Sequence, residues 1–250
     1  MAEYLACKYG EEYQFCVFDN RGVGRSSAPA GRYKTTTMAQ DSINLADYLK
    51  WGKFHVVGIG MGGMIAQEIA LAVSHRVCTL TLACTNSGGP GSFAPFAGVV
   101  GALKLAACSD ANEIAVETVK LQHPESYLNE VIDGVTNLDR LVAKYLATKE
   151  QEGPPNSQGL LAQFRAVRTH SVGKRRLLEL KESTIPIFIC TGDSDNLVKP
   201  KGSQYLADVL EPQKFVQWED TGHGILDSKF TELAELIMDH CNLRKAKSMP

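Results

Sequence analysis

The sequence predicts an α/β protein with a mostly parallel sheet flanked by helices. Short apolar runs rich in β-branched and aromatic residues recur along the chain, and amphipathic stretches at helical spacing separate most of them. One long segment without strand alternation interrupts this pattern. Strand, helix and strand in succession imply parallel pairing, because each helix carries the chain back across the sheet.

The apolar runs are residues 15–18, 55–59, 77–84, 185–190 and 215–218, each read as a strand. Residues 38–50 place Ile43, Ala46 and Leu49 at helical spacing, residues 64–73 form a helix directly after the second run, and residues 230–241 close the chain with Leu233, Leu236 and Ile237 on one face. Between the third and fourth runs, residues 93–180 read as an insertion of helices at 99–107, 111–121, 127–132, 139–149 and 160–169, broken by a turn-forming stretch at 152–159. The expected division is therefore a sheet core of residues 1–92 and 181–250, with 93–180 inserted. The apolar helix at 99–107 suits a pocket roof or ordinary core equally, and the basic residues 244–247 read as a solvated end.

Composition narrows the function classes. The 250 residues are 44% hydrophobic and 22% charged, ordinary values for a globular domain. With 26 Lys and Arg against 28 Asp and Glu, the formal charge of −2 offers no single-sign field for nucleic acid or an anionic membrane. Seven cysteines are an odd count without a C-x-x-C pair, and Cys16, Cys84 and Cys190 lie inside apolar runs, as buried free thiols do; a reducing, cytoplasmic location is expected. The N-terminal residues carry charges throughout, and the longest apolar stretch, 93–108, contains Pro95 and Lys104 and is shorter than the ~20 residues a membrane span needs.

The segment HVVGIGMGGMIAQEIA, residues 55–70, is a strand, a glycine-dense turn and a helix. Gly58, Gly60 and Gly63 fit the dinucleotide pattern G-x-G-x-x-G, but that site needs an acidic residue ~20 positions on to hold the ribose. No Asp or Glu occurs between Glu68 and Asp110, so no nucleotide cofactor is expected. The same turn fits the nucleophile elbow G-x-S-x-G, with Gly58 and Gly62 as its glycines and Gly60 where the serine would stand. Glycine there tolerates a backbone that costs other residues about 1–3 kcal/mol, but it has no side chain with which to attack a carbonyl.

Two later segments bear chemistry. The fourth run ends in Gly192 and is followed by Asp193 and Asp195, at a strand C-terminus where ligands bind in such sheets. After the last run, His223 stands between Gly222 and Gly224, small neighbours that leave an imidazole room to approach a carboxylate and a substrate. Elbow, then Asp, then His is the chain order of the α/β-hydrolase fold.

On these residues the chain resembles α/β-hydrolases of the small-esterase and enol-lactonase type, and FDNRGVGRSS at 18–27 matches that family's turn after its fourth strand. The resemblance implies a helical cap over the site at 93–180, Asp195 as triad acid with Asp193 as its near alternative, His223 as general base, and the Met61 N–H as an oxyanion donor. It implies a small ester or lactone as ligand, hydrolysed through an acyl-enzyme, with no cofactor. No metal is expected, since no H-x-x-x-H, H-x-H or carboxylate–histidine cluster of ligand spacing occurs. The family's first strands and its oxyanion loop are expected to be missing, so the runs at 15–18 and 55–59 must pair directly, leave a gap or borrow a strand.

Gly60 divides the functional expectation. Loss of a triad nucleophile costs on the order of 10⁶ in kcat, so the chain reads as an inactive or severely impaired serine hydrolase. His223 activating a water lodged beside Gly60 is a subsidiary route. The alternative is a non-catalytic binding or scaffold protein on the hydrolase fold. Substrate identity and oligomeric state stay open at this level.

Overall fold

The structure, a computed structural model, describes residues 1–89, 92, 94–152 and 156–244. In chain order its elements are α1 (Ala2–Tyr9), α2 (Thr35–Tyr48), β1 (Phe54–Ile59), α3 (Met61–Ala72), β2 (Val77–Ala83), α4 (Phe96–Ala107), α5 (Ala111–Gln122), α6 (Glu125–Asn129), β3 (Val131–Ile132), β4 (Val135–Thr136), α7 (Asn137–Glu152), α8 (Ser157–Thr169), α9 (Lys174–Glu182), β5 (Ile187–Gly192), α10 (Pro200–Leu210), β6 (Lys214–Trp218), α11 (Ile225–Ser228) and α12 (Phe230–Asn242). Strands β1, β2, β5 and β6 form one parallel sheet in that order. Its register sets Gly58 beside Leu82, Leu82 beside Ile189, and Ile189 beside Phe215, so the strand C-termini meet along one edge.

Helices cover both faces, as a parallel sheet requires. On one side α2, α3, α9 and α10 pack Met38, Ile65, Ile69, Leu177, Leu180 and Leu206 against β-strand residues Leu80, Leu82, Ile187 and Ile189. On the other, α12 sets Leu233, Ile237 and Cys241 against Phe188, Cys190 and Trp218, and α1 packs Leu5 on Ala234 and Met238. Every residue of β2 and β5 is buried, which is why their sequences read as uncharged, largely apolar runs without alternation.

Several expectations are corrected. Residues 15–18 form no strand. Strand propensity is realised only against a neighbour, and between this segment and β1 lies a cleft of ≈ 270 Å³ lined by Cys16, Val17, Phe18, Leu45, Trp51 and Val57. Of the three arrangements expected for this region, the chain leaves a gap; Val17 is 77% and Val57 44% exposed. Cys16 is accordingly exposed, whereas Cys84 and Cys190 are buried as expected. The inserted segment is not free of strands, because β3 and β4 form an antiparallel hairpin where the helix expected at 127–132 stops at Asn129.

Helix α9 went unread because KRRLLELKE is mostly charge; it docks through Leu177 and Leu180 and through Arg176, whose guanidinium forks onto both Glu68 oxygens at 3.0 and 2.6 Å. Helix α8 begins at Ser157, inside the stretch expected to turn. Helix α4 is not ordinary core, since Phe96, Val99 and Leu103 are 84%, 47% and 67% exposed and Gly98 is its one buried residue. The expected boundary at Phe93, part of the turn at 152–159 and most of the basic tail lie outside the described residues. Among those described, no helix is long and apolar enough to cross a membrane.

One buried and one partly buried imidazole make stability depend on pH. Burial lowers His55 and His170 each to about 4; His55 Nδ1 meets Thr79 Oγ1 at 2.8 Å and His170 Nδ1 meets Thr35 Oγ1 at 2.9 Å. Between the unfolded value near 6.5 and the folded value near 4, the unfolded chain takes up protons that the folded chain refuses. Stability should therefore be fully present above pH 7 and fall as the pH drops through this window. The expected loss at pH 5 is on the order of 1–2 kcal/mol per imidazole. Urea unfolding at pH 7.5 and 5 measures it, and His170→Gln should flatten the slope; an unchanged slope in that variant would contradict the assignment.

Candidate active site

The turn from β1 into α3 is a tight elbow. Gly60 has φ +56° and ψ −119°, a conformation open to glycine and strained for residues with a Cβ. A Cβ on Gly58 would lie 2.3 Å from the Gly62 carbonyl oxygen, so the chain can double back this closely only without one. The elbow is tied to the end of β2, where Gly60 N–H donates to the Ala83 carbonyl at 2.9 Å and Thr85 Oγ1 donates to the Gly60 carbonyl at 2.7 Å. Gly63 and Met64 N–H also turn to the Gly60 carbonyl. Met61 is the first residue of α3, so its N–H has no acceptor within the helix and lies at the positive end of the helix dipole.

Beyond β5 the chain turns so that the Asp195 side chain is fully buried. One carboxylate oxygen, Oδ1, accepts from Leu197 and Val198 N–H at 2.8 Å each, and the other, Oδ2, is 2.7 Å from His223 Nδ1. With Asp195 ionised, that contact puts the imidazole proton on Nδ1 and leaves Nε2 with its lone pair free. The ring leans over the elbow, and a Cβ built on Gly60 would lie 2.9 Å from Nε2 and 3.2 Å from Cε1. A side chain at position 60 would therefore press on the imidazole edge. Asp193 is turned elsewhere: its Oδ1 accepts from Ser194 Oγ at 2.8 Å and Thr221 N–H at 3.4 Å. The structure thus brings Gly60, Asp195 and His223 together, with Met61 beginning the adjoining helix, and leaves Asp193 outside the group.

Cys84 underlies the pair. It has φ +46° and is wholly buried, and its sulfur, an Asp195 oxygen and a His223 nitrogen all lie within 4.8 Å of one another. Burial, and next the Asp195 charge, push its thiol up to about 12, so it stays protonated. A zinc ion would hold its nitrogen and oxygen ligands ~2.1 Å away and hence about 3.4 Å from each other. The 2.7 Å between Asp195 and His223 is instead a hydrogen-bond distance, and the donor set does not fit a metal as it stands.

Residues that sequence reasoning missed hold the two loops from the inserted helices. A Cβ on Gly98 of α4 would lie 1.8 Å from the Asn196 carbonyl oxygen, next to Asp195. Gly224 N–H donates to the Gln122 carbonyl at 2.9 Å, and the His123 ring packs so closely on Gly224 that a Cβ there would sit 2.1 Å from it. His123 stacks on Tyr127 and lies 3.5 Å from Asp227, which Lys144 meets at 2.6 Å. Burial raises the Asp227 carboxyl, but hydrogen bonds from His123 and Lys144 outweigh it and hold the group below its usual range. No local pattern marks these residues, because each acts through a neighbour distant in sequence.

The family described as alpha/beta hydrolase fold matches residues 1–230. A poly(3-hydroxyalkanoate) depolymerase from Ectopseudomonas oleovorans is 35% identical over 77 residues, 31% of this chain but only 27% of that protein. The enol-lactonase from Burkholderia xenovorans superposes with a TM-score of 0.69 at 18% identity, over 90% of this chain and 78% of the other. An esterase from Thermogutta terrifontis gives 0.69 at 21% identity, over 91% and 79%. At these identities the two superpositions establish the shared fold.

The elbow geometry predicts the cost of a side chain at position 60. Gly60→Ala should destabilise the chain by about 1–3 kcal/mol through the positive φ, with a further increment from the contact with His223. A double-mutant cycle with His223→Ala, read by urea unfolding, should recover that increment and leave the backbone part. Strict additivity would show that the imidazole does not occupy this space.

Proposed function

The chain belongs to the α/β-hydrolase family, and from that membership we propose that its site is that of a hydrolase of small carboxylic esters or lactones from which the nucleophile is missing. The observation that carries the reading is the contact of His223 Nδ1 with buried Asp195 at 2.7 Å while Nε2 faces Gly60. In this reading Asp195 fixes the imidazole tautomer and stabilises the imidazolium, His223 is the general base, and the Met61 N–H receives the developing oxyanion. The inserted residues 93–180 act as a cap whose helices hold both loops. A serine at position 60 would lose its proton to Nε2 as its oxygen attacked the acyl carbon. With Gly60 no covalent acyl-enzyme forms, and hydrolysis is absent or severely impaired.

One observation favours a second reading, a protein that binds small carbonyl ligands without hydrolysing them. His223 lies closer to the position of a Gly60 Cβ than real Cβ contacts allow, so the site has settled around glycine.

The test is hydrolysis of p-nitrophenyl acetate and butyrate by the natural chain, Gly60→Ser and Gly60→Ser/His223→Ala. The natural chain should remain near the protein-free rate, and Gly60→Ser should exceed it by about 10²-fold or more, dependent on His223. Folded but silent Gly60→Ser would overturn the hydrolase reading in favour of the binding one.

A further inference from the structure

We propose that the site, with glycine at position 60, catalyses proton transfer at carbon, removing and returning the hydrogen between the two carbonyl groups of a small 1,3-dicarbonyl compound. The proposal rests on the same His223–Asp195 pair as the reading above, but it assigns the natural chain an activity of its own.

Acyl transfer needs a nucleophile, a base and an oxyanion donor; here the nucleophile is missing, while the base and one backbone donor remain. A base beside a carbonyl-polarising donor is what enolisation requires, and an adjacent nucleophile would divert the carbonyl into a covalent adduct. His223 Nδ1 is engaged by Asp195 at 2.7 Å, which leaves Nε2 as the basic atom. Among the described residues Nε2 has no hydrogen-bond partner, and the side chain is 19% exposed, open enough to meet a ligand. In a serine triad that lone pair is directed at the serine hydroxyl. Here the ring edge stands within 2.9 Å of where the side chain of residue 60 would begin, so Nε2 itself is the reactive atom at the elbow.

Among the described residues, the side chains nearest the elbow do not substitute for the serine. Thr85 Oγ1 is committed to the Gly60 carbonyl at 2.7 Å, and the Cys84 thiol is wholly buried and protonated. The Met61 N–H, at the start of the 12-residue helix α3 and without an acceptor inside it, is the donor that would polarise one carbonyl. With one such backbone donor, the carbon acid needs its second carbonyl to share the negative charge, which sets the substrate class.

The step balances without a further reactant. The C–H bond breaks, its electron pair becomes the C=C bond of the enolate, the carbonyl electron pair moves onto oxygen beside the Met61 N–H, and the proton bonds to Nε2. The imidazolium, paired with Asp195, exchanges that proton with water and returns one to carbon, restoring the C–H bond and the carbonyl.

Ethyl 2-methylacetoacetate in D₂O tests the proposal, because one compound reports two reactions by proton NMR. Loss of the α-hydrogen signal reads carbon proton transfer, and released ethanol reads ester hydrolysis. The natural chain should exchange the α-hydrogen about 10²-fold faster than protein-free buffer without releasing ethanol, and His223→Gln and Asp195→Asn should each remove most of the gain. Exchange by the natural chain at the buffer rate would falsify the proposal, whether or not the variants fold. Exchange that persists in folded His223→Gln would overturn it as well. Ethanol released by Gly60→Ser while the natural chain exchanges nothing would sink this proposal and leave the hydrolase reading standing; exchange without a Gly60→Ser hydrolase would do the reverse.

Discussion

The Asp195 carboxylate is the constraint around which the site is arranged. Fully buried and charged, it would cost several kcal/mol if any of its partners were lost. Its partners come from two places, the Leu197 and Val198 amides of its own turn and His223, 28 residues on. Satisfying it therefore fixes the loop after β5 against the loop after β6, and the inserted helices grip both, through Gly98 on Asn196 and His123 on Gly224. None of these contacts passes through a side chain at position 60. Asp195 and His223 can hold their geometry whatever stands at position 60.

Much of the fold was legible because a parallel sheet covered on both faces writes itself as apolar runs. Strands β2 and β5 lie within two residues of the apolar runs that predict them, and the elbow, Asp195 and His223 are visible in the sequence as three segments in order. What was not legible depended on partners. Residues 15–18 have the composition of a strand but no neighbour on which to form a ladder. The β3–β4 hairpin is only two residues a side, yet its turn, Asp133-Gly134 with φ +54° and +80°, carries the Asp-Gly signature that could have revealed it. Helix α9 was hidden because ion pairing with Glu68, rather than a broad apolar face, accompanies its two buried leucines.

The candidate site shows the same division. Gly60, Met61, Asp195 and His223 follow from motif, order and family resemblance, and the resemblance favours Asp195 over its neighbour Asp193 without showing why. The reason is geometric: Asp193 is the first residue beyond β5 and is drawn to the Thr221 amide, whereas two residues later the turn carries Asp195 inward to the imidazole. His123 and Cys84 act only through residues far away in the chain, and no spacing rule finds such partners.

The burial of β2 on every residue has a further consequence for how the chain comes to be folded. Its partner on one side, β1, is made just before it, but β5, which covers the other side, follows about a hundred residues later, after the whole insertion. At 5–20 residues per second, β2 spends on the order of 5–20 s of synthesis with one edge unpaired. Pairings so distant in sequence are also slow to close in the free chain. During that interval the segment VCTLTLA, uncharged and rich in apolar and β-branched residues, is an unpaired edge on a nascent chain and a site open to mispairing.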